Sequence, residues 1–473
     1  MNYKVTIGLE THVQLKTQSK IFCGCRKDFG DEPNTHVCPV CLGYPGAMPV
    51  LNEEAVRLTV MTGLMIGCKI NSYSKFDRKS YFYPDMPKNY QISQYDQPLC
   101  LGGSVEIETE AGKRSIEVTR IHLEEDVAKN IHFENFSGVD FNRAGTPLME
   151  IVTEPVIESA DEAFAYLQAL KQILVYGGIS DCNLEEGNMR CDVNCSVRPE
   201  GQEKLGVKTE LKNMNTFKGV HRALKAEIAR QISVLEKGGT IQQETRRWDD
   251  VAGVTLAMRS KEYAHDYRYF PEPDLMPVVL DEKTVEEWRC RLPELPAKRR
   301  ERMTAEYGIP EYDAGVLAAD KHVADYFEET AKLCGSGKAA SNWIMTEVMR
   351  VLSAQEIEIR GLKITPVALA ALIKLVDAKT ISSTGAKEVF AVMLEEGGDP
   401  AAIVKARGLA QVSDTGALEA MVMQAIAENE KSVTAYRAGK EAALQHLVGQ
   451  VMKLSRGKAN PGVVIELLKK NLA

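Results

Sequence analysis

Apolar and polar residues alternate from Val5 to Leu15, where Val5, Ile7 and Leu9 stand apart from Glu10. A period of two predicts a strand, and it puts Glu10 and His12 on one face because residues two apart share a face. Val105/Ile107 and Ile116/Val118 alternate in the same way around Ala111-Gly112 and predict a hairpin running to Ile121. Helical signals come next. Ser159-Ala-Asp-Glu162 has the form of a capping box, and Phe164, Leu167, Leu170 and Ile173 mark one face of a helix that stops at Gly177-Gly178. A long amphipathic helix is expected over about 217–237, ending at Gly238-Gly239. Paired strands between helices, mostly joined by short turns, imply an α+β domain with a largely antiparallel sheet. Pro293, Pro296 and Pro310 mark its end, and from about Glu294 onward helical patterns such as that of 320–352 take over. In the tail Leu444, Leu447, Val448, Val451 and Leu454 share a face. Asn460-Pro461 then restarts a helix ending near Lys470, with Asn as N-cap and Pro at its first position.

A chain of 473 residues has room for about three domains. Its 44% hydrophobic and 26% charged content is that of an ordinary globular protein rather than a disordered or fibrous one. The start shows no apolar signal segment, and no later run is long and apolar enough to span a bilayer, so a cytoplasmic, membrane-free protein is expected. Eleven cysteines in that compartment point to thiols or metal rather than disulfides. The net charge of −8 argues against a nonspecific nucleic-acid binder. Its distribution is uneven, however: residues 430–473 hold eight Lys or Arg against three Asp or Glu, so this end carries +5 and the remainder −13. A small basic end can dock a polyanion or be a solvated helical face. Lys453, Arg456 and Lys458 stand at the mouth of the helix that restarts at Asn460.

Cys23-Gly-Cys25 and Cys38-Pro-Val-Cys41 supply four thiols on two tight knuckles, the arrangement a tetrahedral structural Zn²⁺ requires. Four ligands close such a site, so it would staple a loop-rich segment rather than catalyse. The stretch from His122 to Ile151 carries Glu124, Glu125, Asp126, Asp140 and Glu150 around an Asn142-Arg143 pair, followed by Gly145 and Pro147. Oxygen ligands suit Mg²⁺ and Arg suits a phosphoryl oxygen, although a solvated acidic hairpin would share this composition. Residues 75–98 interleave basic side chains with four tyrosines, as a loop holding a phosphate, an adenine or an RNA end would, or as a loop pinned by aromatic packing. Carboxylates again accompany a cation at Glu185-Glu186-Gly-Asn188-Met-Arg190-Cys-Asp192 and at Glu210-Leu-Lys212. Gln243-Glu244-Thr-Arg246-Arg247 and Arg259-Ser-Lys261-Glu262 then lead to Asp266-Tyr-Arg-Tyr-Phe-Pro-Glu-Pro-Asp274. Gly335-Ser-Gly337-Lys338 fails as a phosphate loop because Lys332 stands where that pattern needs Gly. A nucleophile elbow, a kinase signature set and a solenoid repeat are all absent.

Together, Ile7-Gly-Leu-Glu10-Thr-His12, Lys75-Phe-Asp-Arg-Lys79, His122-Leu-Glu-Glu-Asp126, Asp140-Phe-Asn-Arg-Ala-Gly-Thr-Pro-Leu-Met-Glu-Ile151 and Asp266–Asp274 resemble the B-subunit family of the glutamyl/aspartyl-tRNA amidotransferases. The tail from Val448 to Pro461 matches as well, so the resemblance spans essentially the whole chain. It implies a glutamine-synthetase-like cradle domain over 1–293, a helical domain over 294–407 and a small helical tRNA-binding tail over 408–473. It also implies a heterotrimer with a glutaminase A subunit and a small C subunit. Within that assembly the chain is expected to bind Glu-tRNA(Gln) or Asp-tRNA(Asn), phosphorylate the side-chain carboxyl with ATP and amidate it with supplied ammonia.

Carried over residue by residue, Glu10, His12, Glu125 and Glu150 are the expected Mg²⁺ and reaction-centre residues, supported by Asp192. Lys79, Arg143 and Arg190 are expected at the ATP phosphates or the acyl phosphate, and Lys453, Arg456 and Lys458 at tRNA. Glu124 is the alternate to Glu125, since adjacent strand residues point to opposite faces. Only some family members have the four cysteines, where they bind zinc, so Cys23, Cys25, Cys38 and Cys41 rest chiefly on their spacing. A tRNA-binding scaffold with structural acidic clusters is the competing reading. A self-contained glutamine hydrolase lacks a convincing nucleophile here.

Overall fold

The computed structural model describes residues 2–184, 186–258, 267–411, 415–455 and 458–472. The chain divides into two compact units, Met1–Pro296 and Ala297–Ala473. The elements of the first that matter here are β1 (Tyr3–Gln14), β2 (Asp77–Ser80), β3 (Tyr90–Ser93), β4 (Gly112–Glu125), β5 (Pro147–Thr153), α1 (Ala160–Tyr176), β6 (Met189–Pro199), β7 (Thr209–Lys212), α2 (Phe217–Glu236) and β8 (Phe270–Pro271).

A ten-stranded sheet forms the frame, with β7, β6, β1, β5 and β4 consecutive at its middle. These five pair antiparallel, and β7 pairs parallel with Thr245–Asp249, so the first unit is α+β with a mixed but largely antiparallel sheet. Alternation gives the sheet its two characters. Ile7, Leu9 and Val13 of β1, Ile121 and Leu123 of β4, Met149 and Ile151 of β5 and Val193 of β6 all enter one core with Leu167, Leu170 and Leu174 of α1 and Val220 and Leu224 of α2. Burying each large aliphatic side chain contributes about 1.5–3 kcal/mol, which pins the register because a one-residue slip would turn this set outward. Between them Glu10, His12, His122 and Glu150 face the other way.

The capping box at α1 closes one residue early. The Ser159 hydroxyl accepts from the Glu162 amide at 3.1 Å, but the Glu162 carboxylate accepts from the Glu158 amide at 2.8 Å rather than from Ser159. The predicted hairpin pairs Val105 with Ile116 across Ala111-Gly112. β4 then continues past it as far as Glu125.

In the second unit the described secondary structure is helical. One core gathers residues such as Phe327, Ile344, Leu372 and Phe390. Another gathers Leu418, Leu447, Val451 and Leu468. The helical pattern of 320–352 is interrupted: Asp320 caps Lys321–Cys334, and Gly335 ends it at φ 77, a left-handed conformation glycine adopts freely. Helix resumes at Gly337 under a Ser336 cap. Leu444, Leu447, Val448 and Val451 are buried as their spacing predicts, while Leu454 at the helix end is exposed. The Asn460 side chain accepts from the Gly462 amide at 3.0 Å, and the last helix runs Pro461–Leu472.

Candidate active site and thiol cluster

Register builds the site. His12 of β1 lies opposite Glu150 of β5, and Glu150 lies opposite His122 of β4. Glu124 follows His122 two residues later and so returns to the same face. The His12 Nε2 is 3.4 Å from Glu150 Oε2 and 3.9 Å from Glu124 Oε1. The His122 Nε2 is 3.3 Å from Glu150 Oε2 and 3.7 Å from Glu124 Oε2. Ligand atoms of His12, Glu124 and Glu150 all lie within 4.8 Å of one another, a spacing that suits a single cation.

Electrostatics follow from this crowding. Burial opposes charge at Glu150, yet the His122 and His12 imidazoles hold its carboxyl well below the usual carboxylate range. Burial likewise opposes charge at His122, but Glu150 and Glu124 push its imidazole up to about 9. His12 is raised for the same reason, against its own burial. Glu10 behaves oppositely: burial and then Glu150 raise its carboxyl, while the Asn194 amide donates to it at 2.9 Å. Beside Glu10 opens a cavity of about 290 Å³, lined in part by Thr6, Val152, Asn194, Ser196 and Lys208.

Cations frame the cluster. Arg190 lies opposite His12 on β6 and Asp192 lies opposite Glu10. The Arg190 Nη2 is 2.8 Å from buried Asp126, and Asp126 also accepts from the Gln14 amide at 2.9 Å. Asp192 pairs with Lys212 of β7 at 2.6 Å. Lys79 of β2 sets its ammonium over the Tyr267 ring, 4.9 Å from the centroid. Burial opposes its charge, but Glu124 keeps the Lys79 ammonium above its ordinary value.

The other predicted residues stand elsewhere. Glu125 does not join the cluster; Lys88 Nζ holds it at 2.5 and 2.6 Å, and it accepts from the Ile92 amide at 2.8 Å. Its neighbour Glu124 takes the inward place, because Glu125 shares parity with Leu123 and Ile121, which belong to the core. Arg143 donates to the Val127 and Ala128 carbonyls, both at 2.8 Å, and so braces the turn beyond β4, with its Nε 3.8 Å from Asp126 on the border of the cluster. In the turn before β5 Gly145 has φ 80, and its amide donates to the Asp126 carbonyl at 2.9 Å. Lys453 is exposed and Lys458 half-buried. Arg456, Glu185, Asp266 and the Arg259, Lys261 and Glu262 group lie outside the described residues. The expected reaction-centre set omitted His122, although a period of two through His122, Glu124 and Asp126 carries the signal.

The four cysteine sulfurs also lie within 4.8 Å of one another, and all eleven cysteines are free thiols. A hydrogen bond with Cys23, the Cys38 amide and the Lys20 ammonium together overcome burial and pull the Cys41 thiol down to about 4. Cys23 is pushed up in exchange. Four converging thiols fit a thiolate-bound cation. Fully buried Lys20 donates from beneath to the His36 and Phe141 carbonyls at 2.8 and 3.2 Å. Asn142 accepts from the His36 amide at 2.8 Å and donates to the Glu32 carbonyl at 2.7 Å, so the acidic segment holds the cysteine loop in place.

Imidazoles, carboxylates and fixed cations thus share one sheet face, and comparison with known proteins gives the family. Residues 5–286 match the GatB/GatE catalytic domain and residues 325–472 match the GatB domain. The chain therefore belongs to the GatB/GatE family. It is 55% identical to the B subunit of the aspartyl/glutamyl-tRNA(Asn/Gln) amidotransferase of Caldicellulosiruptor saccharolyticus, over 100% of this chain and 99% of that one. It is 53% identical to the protein of that name from Carboxydothermus hydrogenoformans, over 100% and 99%, and 52% identical to that from Chlorobium chlorochromatii, over the full length of both. Among the described residues no helix is long and apolar enough to cross a membrane.

Proposed function

We propose that this chain is the amidotransferase component that activates and amidates the side-chain carboxyl of Glu or Asp carried by tRNA(Gln) or tRNA(Asn). The observation that carries the reading is the His12, Glu124 and Glu150 cluster, flanked by Lys79 and Arg190, in a chain similar over its whole length to amidotransferase B subunits. A carboxylate is a poor electrophile, so transfer of a phosphoryl group from ATP supplies a leaving group that ammonia then displaces as phosphate. His12, Glu124 and Glu150 would hold Mg²⁺, which when bound offsets negative charge on the phosphates. Lys79 and Arg190 add fixed positive charge.

Partners complete the reading. A glutaminase A subunit would supply ammonia and a small C subunit would join the heterotrimer, while aminoacyl-tRNA would bind by its acceptor end and, through the Lys453–Lys458 region, its elbow. Zn²⁺ would sit on Cys23, Cys25, Cys38 and Cys41 as a structural ion. The test compares Glu124→Gln with Glu125→Gln in the assembled enzyme. Glu124→Gln is expected to lower ATP-dependent activation of the charged tRNA about 100-fold while tRNA binding persists, and Glu125→Gln is expected to lower it less. Undiminished transamidation by Glu124→Gln would leave a tRNA-binding scaffold as the better reading.

A further inference from the structure

The segment 267–274 has little core of its own: Phe270 is exposed, and its backbone reaches the fold through a two-residue ladder in which Phe270 lies opposite Arg78 and Pro271 opposite Asp77. Two further backbone bonds, Ser80 amide to Tyr267 carbonyl and Glu272 amide to Phe76 carbonyl, are each 2.9 Å long. A ladder this short is weak alone. What secures it is charge. Arg78 donates through Nε and Nη2 to the two oxygens of Glu272 at 2.6 and 2.8 Å, and again to Asp274 at 3.0 Å. The Glu272 side chain is 0% exposed, and the Arg78 guanidinium also lies over the Tyr90 ring at 4.2 Å. Removing one member of such a pair strands a buried charge, so the pair holds the segment strongly in one place.

What the segment brings is a tyrosine pair. Tyr267 faces the Lys79 ammonium and meets Tyr81 and Tyr269 edge-on at 6.2 and 6.1 Å, and Tyr269 stacks on Tyr95 at 4.3 Å. Lys79 lies between Arg78 and Ser80, two of the residues that bind the segment, and strand alternation sends its side chain to the opposite face from theirs. A locked segment therefore fixes both the backbone around Lys79 and the ring beneath its ammonium.

We infer that Arg78 and Glu272 are positioning residues: their bidentate pair clamps 267–274 onto β2 so that Tyr267, backed by Tyr269, holds the Lys79 ammonium in place. The inference rests on the reading that Lys79 acts in the site. Without the clamp the ring withdraws, the ammonium becomes free to solvate, and the cation is lost from the place where phosphoryl charge develops.

The test uses the full-length chain for two measurements and the assembled enzyme for a third, with Arg78→Lys, Glu272→Gln, Tyr267→Leu and Lys79→Ala. Acylation of Lys79 by a small amine-reactive ester, read by mass spectrometry, is expected to quicken about tenfold in the first three variants. Hydrogen exchange across 267–274 is expected to quicken in Arg78→Lys and Glu272→Gln. In the assembled enzyme those two variants should lower kcat about tenfold with KM for charged tRNA within a factor of two, and Arg78→Lys, which keeps the charge but loses the fork, should not rescue it. Tyr267→Leu leaves the ion pair intact, so it reports on the ring even if the pair variants misfold. Unchanged Lys79 acylation in Tyr267→Leu and in a folded Glu272→Gln overturns the inference. Full activity in Lys79→Ala overturns instead the placing of Lys79 in the site, and the acylation result still decides whether the clamp holds it.

Discussion

The two ligand clusters of the first unit are opposites in construction. The thiol cluster draws all four members from Cys23 to Cys41, a stretch of loop and turn. The imidazole-carboxylate cluster draws His12, Glu124 and Glu150 from three separate strands, the first of them more than a hundred residues from the other two, and only the register of β1, β5 and β4 makes them neighbours. A local cluster can be lost without taking the sheet with it, whereas the second cannot form until the sheet has. Local convergence suits a staple. Convergence on a rigid sheet face suits chemistry, because reacting groups must be held to fractions of an ångström.

The largest expected effect tests that division directly. Glu150→Gln removes the charge that both imidazoles face and should lower transamidation about 100- to 1000-fold with the chain still folded, as measured by single-turnover amidation alongside circular dichroism. Cys38→Ser should do the reverse, releasing bound metal and lowering Tm by several degrees while the folded fraction keeps kcat within a few-fold. Equal effects of the two variants on kcat would erase the distinction between staple and site.

A third prediction follows from the raised imidazole. His122 titrates at about 9 in the folded chain against about 6.5 when unfolded, so the folded state binds more protons between those values. Its contribution is fully present below about 6.5 and is lost as pH rises through about 9, a change on the order of 3 kcal/mol. Denaturant unfolding in that window should show stability falling with pH, and His122→Asn should flatten the fall. An equally steep fall in His122→Asn would assign it to other groups. The smallest effect is expected at the tail. Replacing Lys453, Arg456 and Lys458 by Ala should raise KM for charged tRNA and flatten its salt dependence while leaving the chemistry of bound substrate unchanged. An unchanged salt slope would count against phosphate contacts there.

Much of this molecule was legible before folding was considered. Strand alternation placed Glu10 and His12 on one face, the cap and glycine signals bounded α1 and α2, and cysteine spacing located the thiol cluster, because each depends on residues close in sequence. The choice between Glu124 and Glu125 was decided by which parity of β4 faces the core. The alternation of Ile121 and Leu123 carried that information, yet Ile116 and Val118 upstream have the other parity, and β4 and β5 slip register between Val152 and Thr153. Arg143 is a similar case: nothing in its neighbours along the chain shows that it braces two carbonyls of the turn beyond β4 and stands beside Asp126, the carboxylate that Arg190 holds.

The local periodicities, the thiol knuckles and the stock of carboxylates, imidazoles and cations follow from neighbours along the chain. Which of them meet depends on how distant strands pair. His12, Glu150 and His122 become adjacent through the pairing of strands, two of which are more than a hundred residues apart in the chain. That pairing is fixed by burial of the opposite, apolar face rather than by any affinity among the polar groups themselves.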